Sequence, residues 1–343
     1  MKVELIISLE FVEEFYRTFD SKNKYHKDLH DFFQFCNDPI IYTDFEITKD
    51  VQTKYSFIDH LLNNNSDKAY QSFKTIKDAI RFSIGNVHNT FKLYFLGENI
   101  NRIHNIRNEK GFEAISVNNL DLIWAQHYYD SRQRPTSFPV TKDQNIDPRF
   151  ESWDDLNSFL TPVNYLIISD PYVLKEKEHI KKNIASLLNK YLDAPDRNHP
   201  LEIIFCTTDG REALSEDQWS ERFNELINTL HLTEKDSLYL FRYPNNIPDH
   251  RRGIFTNYWY IYSGNSFQFF NKNGIIKDVK DNIIFYHLFY RTNKGIYAAG
   301  INDIKNFIKG SVENDNFLNM KRVFRRGGCL GLSNFELGLT QMH

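Results

Sequence analysis

The segment Asp249-His250-Arg251-Arg252-Gly253 gathers residue types that can handle an anion. Pro244 and Pro248 keep its approach irregular, and Gly253–Tyr262 behind it reads as a strand, so His250 is expected at a strand mouth. A neutral imidazole is a nucleophile near pH 7. Arg252, two residues on, shares its strand face and can hold a phosphate bidentately. Asn257 follows after four residues, and Gly264-Asn265-Ser266 after six more. The asparagine can orient an oxygen, and the glycine lets backbone approach the anion. Arg251 reads equally as a solvated cation or a phosphate contact. The plainer reading of His250 and Arg252 is a turn with two solvated cations.

These residues need a frame, and the second half of the chain supplies a pattern for one. Asn164–Ser169 is a short apolar strand that runs into Asp170-Pro171-Tyr172. Glu178–Leu192 carries apolar residues at helical spacing. Leu201–Cys206 is a second strand, ending at Thr207 and Thr208. Ser215 and Gln218 form a capping box that opens a helix with Trp219, Phe223 and Leu226 on one face. Strands are expected over Ser237–Tyr243, Gly253–Tyr262 and Ser266–Phe270. This order predicts an α/β fold, a mixed sheet flanked by helices. Asp170, Tyr172, Thr207 and Thr208 lie at strand ends, where they either stop and cap the chain or face a ligand.

The first half reads as a separate, mainly helical α/β domain. Val3–Ser8 and Lys92–Leu96 are expected strands, and Leu9–Phe19 and Lys68–Phe82 expected helices. The proline-bearing stretch from Ser131 to Pro148 is the clearest seam. It divides the chain into residues 1–130, a linker 131–150, a second domain 151–310 and a tail 311–343. The tail includes the basic run Lys321–Gly328.

Composition bounds the function. The 343 residues carry 45 acidic and 42 Lys or Arg side chains, a net charge of -3 that excludes a uniformly basic coat, so any polyanion site is a local patch. Cys36, Cys206 and Cys329 lie far apart, which argues against a disulfide framework or a cysteine-rich zinc module and fits a reducing cytoplasm. The glutamate-interrupted start reads as a strand running into a helix and not as a signal peptide. No run of 18 apolar residues predicts a membrane span. No metal or cofactor is expected. His26 and His30 have helical spacing for a metal but no evident third ligand. Glu10, Asp44 and Glu46 could form an acidic nuclease site, or could be scattered surface carboxylates. Asn101–Arg107 reads as a polar loop, with nucleic-acid contact as the alternative. Lys321–Arg326 reads as a solvated tail, with nucleic acid or a partner as the alternative.

The spacing from His250 to Ser266 resembles the phospholipase D signature, His-x-Lys, four residues, Asp, six residues, Gly-Ser-x-Asn. Here Arg252 replaces lysine, Asn257 aspartate, Asn265 the serine and Phe267 the last asparagine. In that superfamily the histidine attacks phosphorus while the lysine and asparagine hold phosphate oxygens. A broader resemblance, over about Asn164–Phe270, is to the phospholipase D-like C-terminal domain of the microtubule-interacting-and-trafficking family. It rests on Asp170-Pro171-Tyr172, Cys206-Thr207-Thr208-Asp209, His250-Arg251-Arg252, Asn257, Gly264 and Phe267–Phe270. The middle residue of the triplet departs from that family, with Arg251 for Asp. The resemblance implies a domain that binds membrane phosphoinositides and is not known as an enzyme, and its bacterial versions, for which a phosphoinositide is the lesser alternative to a nucleic acid or nucleotide, are similar to components of conflict or anti-phage systems. The expectation is therefore a cytoplasmic protein that binds a nucleic acid or nucleotide through His250, Arg252 and Asn257, within a defence complex of protein partners. The changed positions and the single motif copy favour binding over turnover. The alternative is a metal-independent phosphodiesterase or nuclease, with two His250 residues brought together in a homodimer.

Overall fold

A computed structural model describes residues 3–36, 39–64, 69–85, 91–97, 99–119, 136–143, 145, 149–208, 214–243, 252–277, 279, 281–287, 295–296, 299–304, 306–308 and 323–326. The chain forms two compact units: Met1–Arg134 with Phe289–Lys294 and Leu332–His343, and Pro135–Leu288 with Gly295–Gly331.

The first unit is built on five parallel strands, β1 (Glu4–Ile7), β2 (Ile40–Thr43), β3 (Tyr70–Ser72), β4 (Lys92–Phe95) and β5 (Glu113–Ile115), in the order β3-β2-β1-β4-β5. Its helices are α1 (Leu9–Thr18), α2 (Lys24–Phe35), α3 (Lys49–Lys54), α4 (Ser56–Asn63), α5 (Ile76–Gly85) and α6 (Ile100–His104). Every residue of β1 and β4 is buried, as a parallel sheet covered on both faces requires. On one side Phe33 stacks on Phe57 at 4.3 Å and meets Phe95 at 4.8 Å. A second cluster joins Ile6, Tyr94, Ala79, Ile103 and Ala114. Inside the sheet, Lys92 Nζ lies 3.3 Å from Glu4 Oε2, with both side chains buried. Burial holds the Lys92 ammonium below its ordinary pKa, and Glu4 offsets part of that shift. The sheet is more extensive than the sequence suggests: the expected helix over Lys68–Phe82 divides into the exposed edge strand β3 and a later helix, α5. The expected loop over Asn101–Arg107 is instead α6 and a π-helical turn, Asn105–Glu109, whose Ile103 and Ile106 are buried.

The second unit is one eight-stranded mixed sheet. Its strands are β6 (Thr136–Val140), β7 (Tyr165–Ser169), β8 (Glu202–Thr208), β9 (Ser237–Tyr243), β10 (Gly253–Phe255), β11 (Trp259–Ser263), β12 (Asp281–His287) and β13 (Val323–Arg326). The order is β13-β9-β8-β7-β10-β11-β12-β6. Strands β7, β8 and β9 are parallel and every other pairing is antiparallel. The helices α7 (Lys177–Ile180), α8 (Ile184–Leu192) and α9 (Glu216–Thr229) fill its crossovers, and α9 opens with the reciprocal Ser215–Gln218 capping box.

Several expectations change here. The stretch expected as linker contributes β6, and its Pro139 is tolerated because β6 lies at the sheet edge. Part of the expected basic tail is the opposite edge strand, β13. The single helix over Glu178–Leu192 breaks at Asn183, whose amide binds the Phe270 backbone through Phe270 N–H to Oδ1 (2.8 Å) and Nδ2 to Phe270 O (2.9 Å). The single strand over Gly253–Tyr262 is a hairpin: Thr256 Oγ1 accepts from Tyr258 N and Trp259 N and turns the chain there. The strand expected over Ser266–Phe270 is a turn, entered through Ser266 and Phe267 at φ 55° and 56°.

Candidate functional site

Register places the site. Ser169 on β7 pairs with Cys206 on β8 and with Gly253 on β10. Gly253 also pairs with Tyr262 on β11, and Thr207 with Arg242 on β9. One step beyond Ser169, toward the carboxyl edge, these registers align Arg242, Thr207, Asp170, Arg252 and Ser263 across five adjacent strands. The ladder extends that far, since Asp170 N–H donates to Cys206 O (3.1 Å). In-register neighbours share a face. One row below, the same face carries Leu240, Phe205, Ile168, Ile254 and Ile261, all essentially inaccessible. The face thus turns from apolar to polar in a single row, at the carboxyl ends of the parallel strands, where open α/β sheets bind ligands.

Arg252 is half-buried. Its guanidinium lies over the Tyr172 ring at 4.9 Å and donates through Nη1 to the Gly264 carbonyl. Its Nε is buried without a hydrogen-bond partner. Gly253 keeps β10 close to β11: a Cβ there would lie 2.2 Å from the Tyr260 ring. Asp170 is fully buried. Its Oδ1 accepts from Tyr172 N (2.7 Å) and Val173 N (3.0 Å), fixing the turn after β7, while its Oδ2 accepts no hydrogen bond. Burial pushes the carboxyl up to about 6, against the Tyr172 N–H, the Ser266 hydroxyl and the Arg252 charge, which pull it down. Thr207 Oγ1 is also buried and unbonded. Three adjacent positions therefore hold polar atoms with unmet hydrogen bonds, a costly arrangement in a fold that satisfies most of its buried groups.

The other expected site residues fall around this row or away from it. Gly264 and Ser266 belong to the loop beside it. Asn265 secures that loop, its N–H donating to Asp281 Oδ2 (2.7 Å) and its Nδ2 to Gln268 O (3.2 Å). Thr208 follows Thr207 and so points to the opposite face. Asn257 is not brought to the row. It sits in the β10–β11 turn at the far end of β10, fully buried, with Oδ1 accepting from Asn164 N (2.8 Å) and Nδ2 donating to Asn164 Oδ1 (3.2 Å). His250 and Arg251 lie outside the described residues.

Arg242 and Gln268 join the site without having been expected. Arg242 is fully buried, with its guanidinium 5.3 Å from the Trp219 ring. Its sequence signal was an arginine continuing the inward-facing series Leu238, Leu240. Gln268 donates through Nε2 to Tyr172 O (2.9 Å), tying the loop to the Asp170 turn.

Among the described residues no group of three or more His, Cys, Asp or Glu side chains could hold a metal ion. His26 Nδ1 accepts from Asp20 N (2.9 Å). Asp44 Oδ1 accepts from Leu9 N (2.7 Å), and the Glu10 carboxylate packs against Gly97. No described helix is long and apolar enough to cross a membrane. No known family model matches the chain, and no curated protein matches it in sequence.

Proposed function

We propose that the second unit is a phospholipase D-like domain that binds a phosphate-bearing ligand, a nucleic acid or nucleotide, at the row Thr207–Asp170–Arg252. The observation that carries this reading is Arg252 itself: a half-buried guanidinium at a carboxyl strand edge, preset by Tyr172 and the Gly264 carbonyl, with a buried donor still unbonded. A guanidinium held by an aromatic ring and a carbonyl keeps its charge and loses little freedom on meeting phosphate. His250 precedes it by two residues and extends the same anion-binding chemistry. Asn257 drops out of the ligand set, because its amide is spent on Asn164. The protein acts by binding, as a component of a defence complex with protein partners, the setting that the family resemblance suggests.

The test is equilibrium binding of a labelled single-stranded oligonucleotide, read by anisotropy for wild type and R252A. Losing one charge-assisted contact should weaken binding roughly 10- to 100-fold. The log–log salt slope should shallow by about 0.7. Equal affinity and slope in a folded R252A protein would overturn the reading. Cleavage of the oligonucleotide in EDTA, abolished by H250A, would establish the phosphodiesterase alternative instead.

A further inference from the structure

Asp170 is an odd neighbour for a phosphate. Its carboxyl group is wholly inaccessible and lies between Thr207 and Arg252 in the row. Only Oδ1 is used by the turn; Oδ2 is left unbonded, as are Thr207 Oγ1 and Arg252 Nε beside it. A carboxylate offers only acceptors, and so does a phosphodiester. An anion seated on Arg252 next to an ionised Asp170 would meet repulsion across a dry gap. A neutral carboxyl removes the repulsion and turns the idle oxygen into a donor.

We propose that Asp170 meets the bound phosphate as a neutral acid, donating a hydrogen bond from Oδ2, so that the site takes up a proton as its ligand binds. This rests on the phosphate reading of the row. The free site is already poised for it, because burial holds the carboxyl at about 6 despite the pull of Arg252. Among the described residues, the charges and titratable groups that face Asp170 are Arg252 at the mouth of β10 and Tyr172 on its own turn; Arg242 stands two strands away in the row. The Ser266 hydroxyl hydrogen-bonds the carboxyl and favours its ionised form, an opposition that burial outweighs. The arriving phosphate adds a negative charge, which moves Asp170 further toward its neutral form. Affinity therefore rises as pH falls toward 6, and Arg252 supplies the attraction at every pH.

The probe is a labelled single-stranded oligothymidylate, whose phosphodiesters do not titrate between pH 6 and pH 8. If binding carries Asp170 from about 6 to ~8, wild-type affinity falls roughly 25-fold between those pH values. D170N keeps an Oδ1 acceptor for the turn and places an amide donor where the acid proton would be. It should bind at pH 8 about as tightly as wild type at pH 6. Histidine side chains in general ionise in this range, so the readout is the difference between wild type and D170N. Calorimetry in two buffers of different ionisation enthalpy at pH 7 should show wild type absorbing about 0.8 proton more than D170N. Equal pH slopes in the two proteins, equal proton uptake, or loss of binding by folded D170N at every pH would overturn the proposal. Should D170N fail to fold, H250A takes its place beside wild type: uptake that persists without the imidazole upholds the proposal, and its loss or proton release overturns it. Absence of oligonucleotide binding by wild type at both pH values is a different result, which removes the phosphate reading and this proposal together.

Discussion

Replacing Asn257 by alanine separates a structural clasp from a ligand contact. Asn257 lies five residues beyond Arg252, past β10 and in the turn that follows it, more than about 13 Å along the chain and too far for one small anion to bridge. Its amide makes two hydrogen bonds to Asn164, one of them capping the backbone N–H that leads into β7, and none of its surface is accessible. Alanine leaves that N–H and the Asn164 side-chain oxygen to find other partners, and Asn164 itself is half-buried. At about 1–3 kcal/mol per unmet buried group, discounted for the water that reaches Asn164, the loss is about 2–4 kcal/mol. For a unit of this size that lowers the melting temperature by about 5–15 °C. Circular dichroism melts measure the stability, and anisotropy at 15 °C measures oligonucleotide affinity in the folded population. Affinity should stay within about 3-fold of wild type, since the row from Arg242 to Ser263 is untouched. An N257A protein that melts like wild type yet loses 10-fold or more in affinity would refute the placement of Asn257 outside the site.

Two further outcomes follow from the same packing. Asp236 accepts from both Arg197 terminal nitrogens, Leu201 N and both donors of Thr233, so D236A strands a buried guanidinium and should cost about 3–5 kcal/mol in urea melts. Burial opposes the charge on Asp236, but Arg197 and the Thr233 and Leu201 N–H groups hold its carboxyl below the ordinary 3.8; its stabilisation is present above that value and lost as pH falls through the lower folded one, and D236N should remove this acid-side loss. In G253A the new methyl group would meet the Tyr260 ring at 2.2 Å and the Ile261 carbonyl at 2.8 Å, so melts should fall by about 1–3 kcal/mol and oligonucleotide affinity should weaken with them as Arg252 shifts.

Much of the second sheet was legible because its strands are short apolar runs with clear ends. β7, β8 and β9 lie where hydrophobicity puts them, and the Ser215–Gln218 box marks the helix start. The hairpin within Gly253–Tyr262 was hidden because every residue but Gly253 and Asn257 suits a strand, Thr256 included, and only the threonine hydroxyl, bonding two backbone N–H groups ahead, makes the turn. That turn decides the fate of Asn257, which sequence spacing alone could not. β3 was hidden for a different reason: Tyr70-Gln71-Ser72 is wholly exposed and leaves no periodic trace. Arg252, Asp170 and Thr207 were each marked by type and position, but their alignment is a property of register. Register depends on three strands distant in sequence, two parallel and one antiparallel, and no local pattern encodes it.

The most direct measurement is the location of a bound strand. Crystals grown with a short phosphorothioate oligothymidylate would place each backbone sulfur by anomalous diffraction. A phosphate seated in the second unit, with an oxygen about 3 Å from the Arg252 guanidinium and within reach of Asp170 Oδ2, is the expected result. An ordered strand bound elsewhere, with Arg252 still closed on the Gly264 carbonyl, would contradict it.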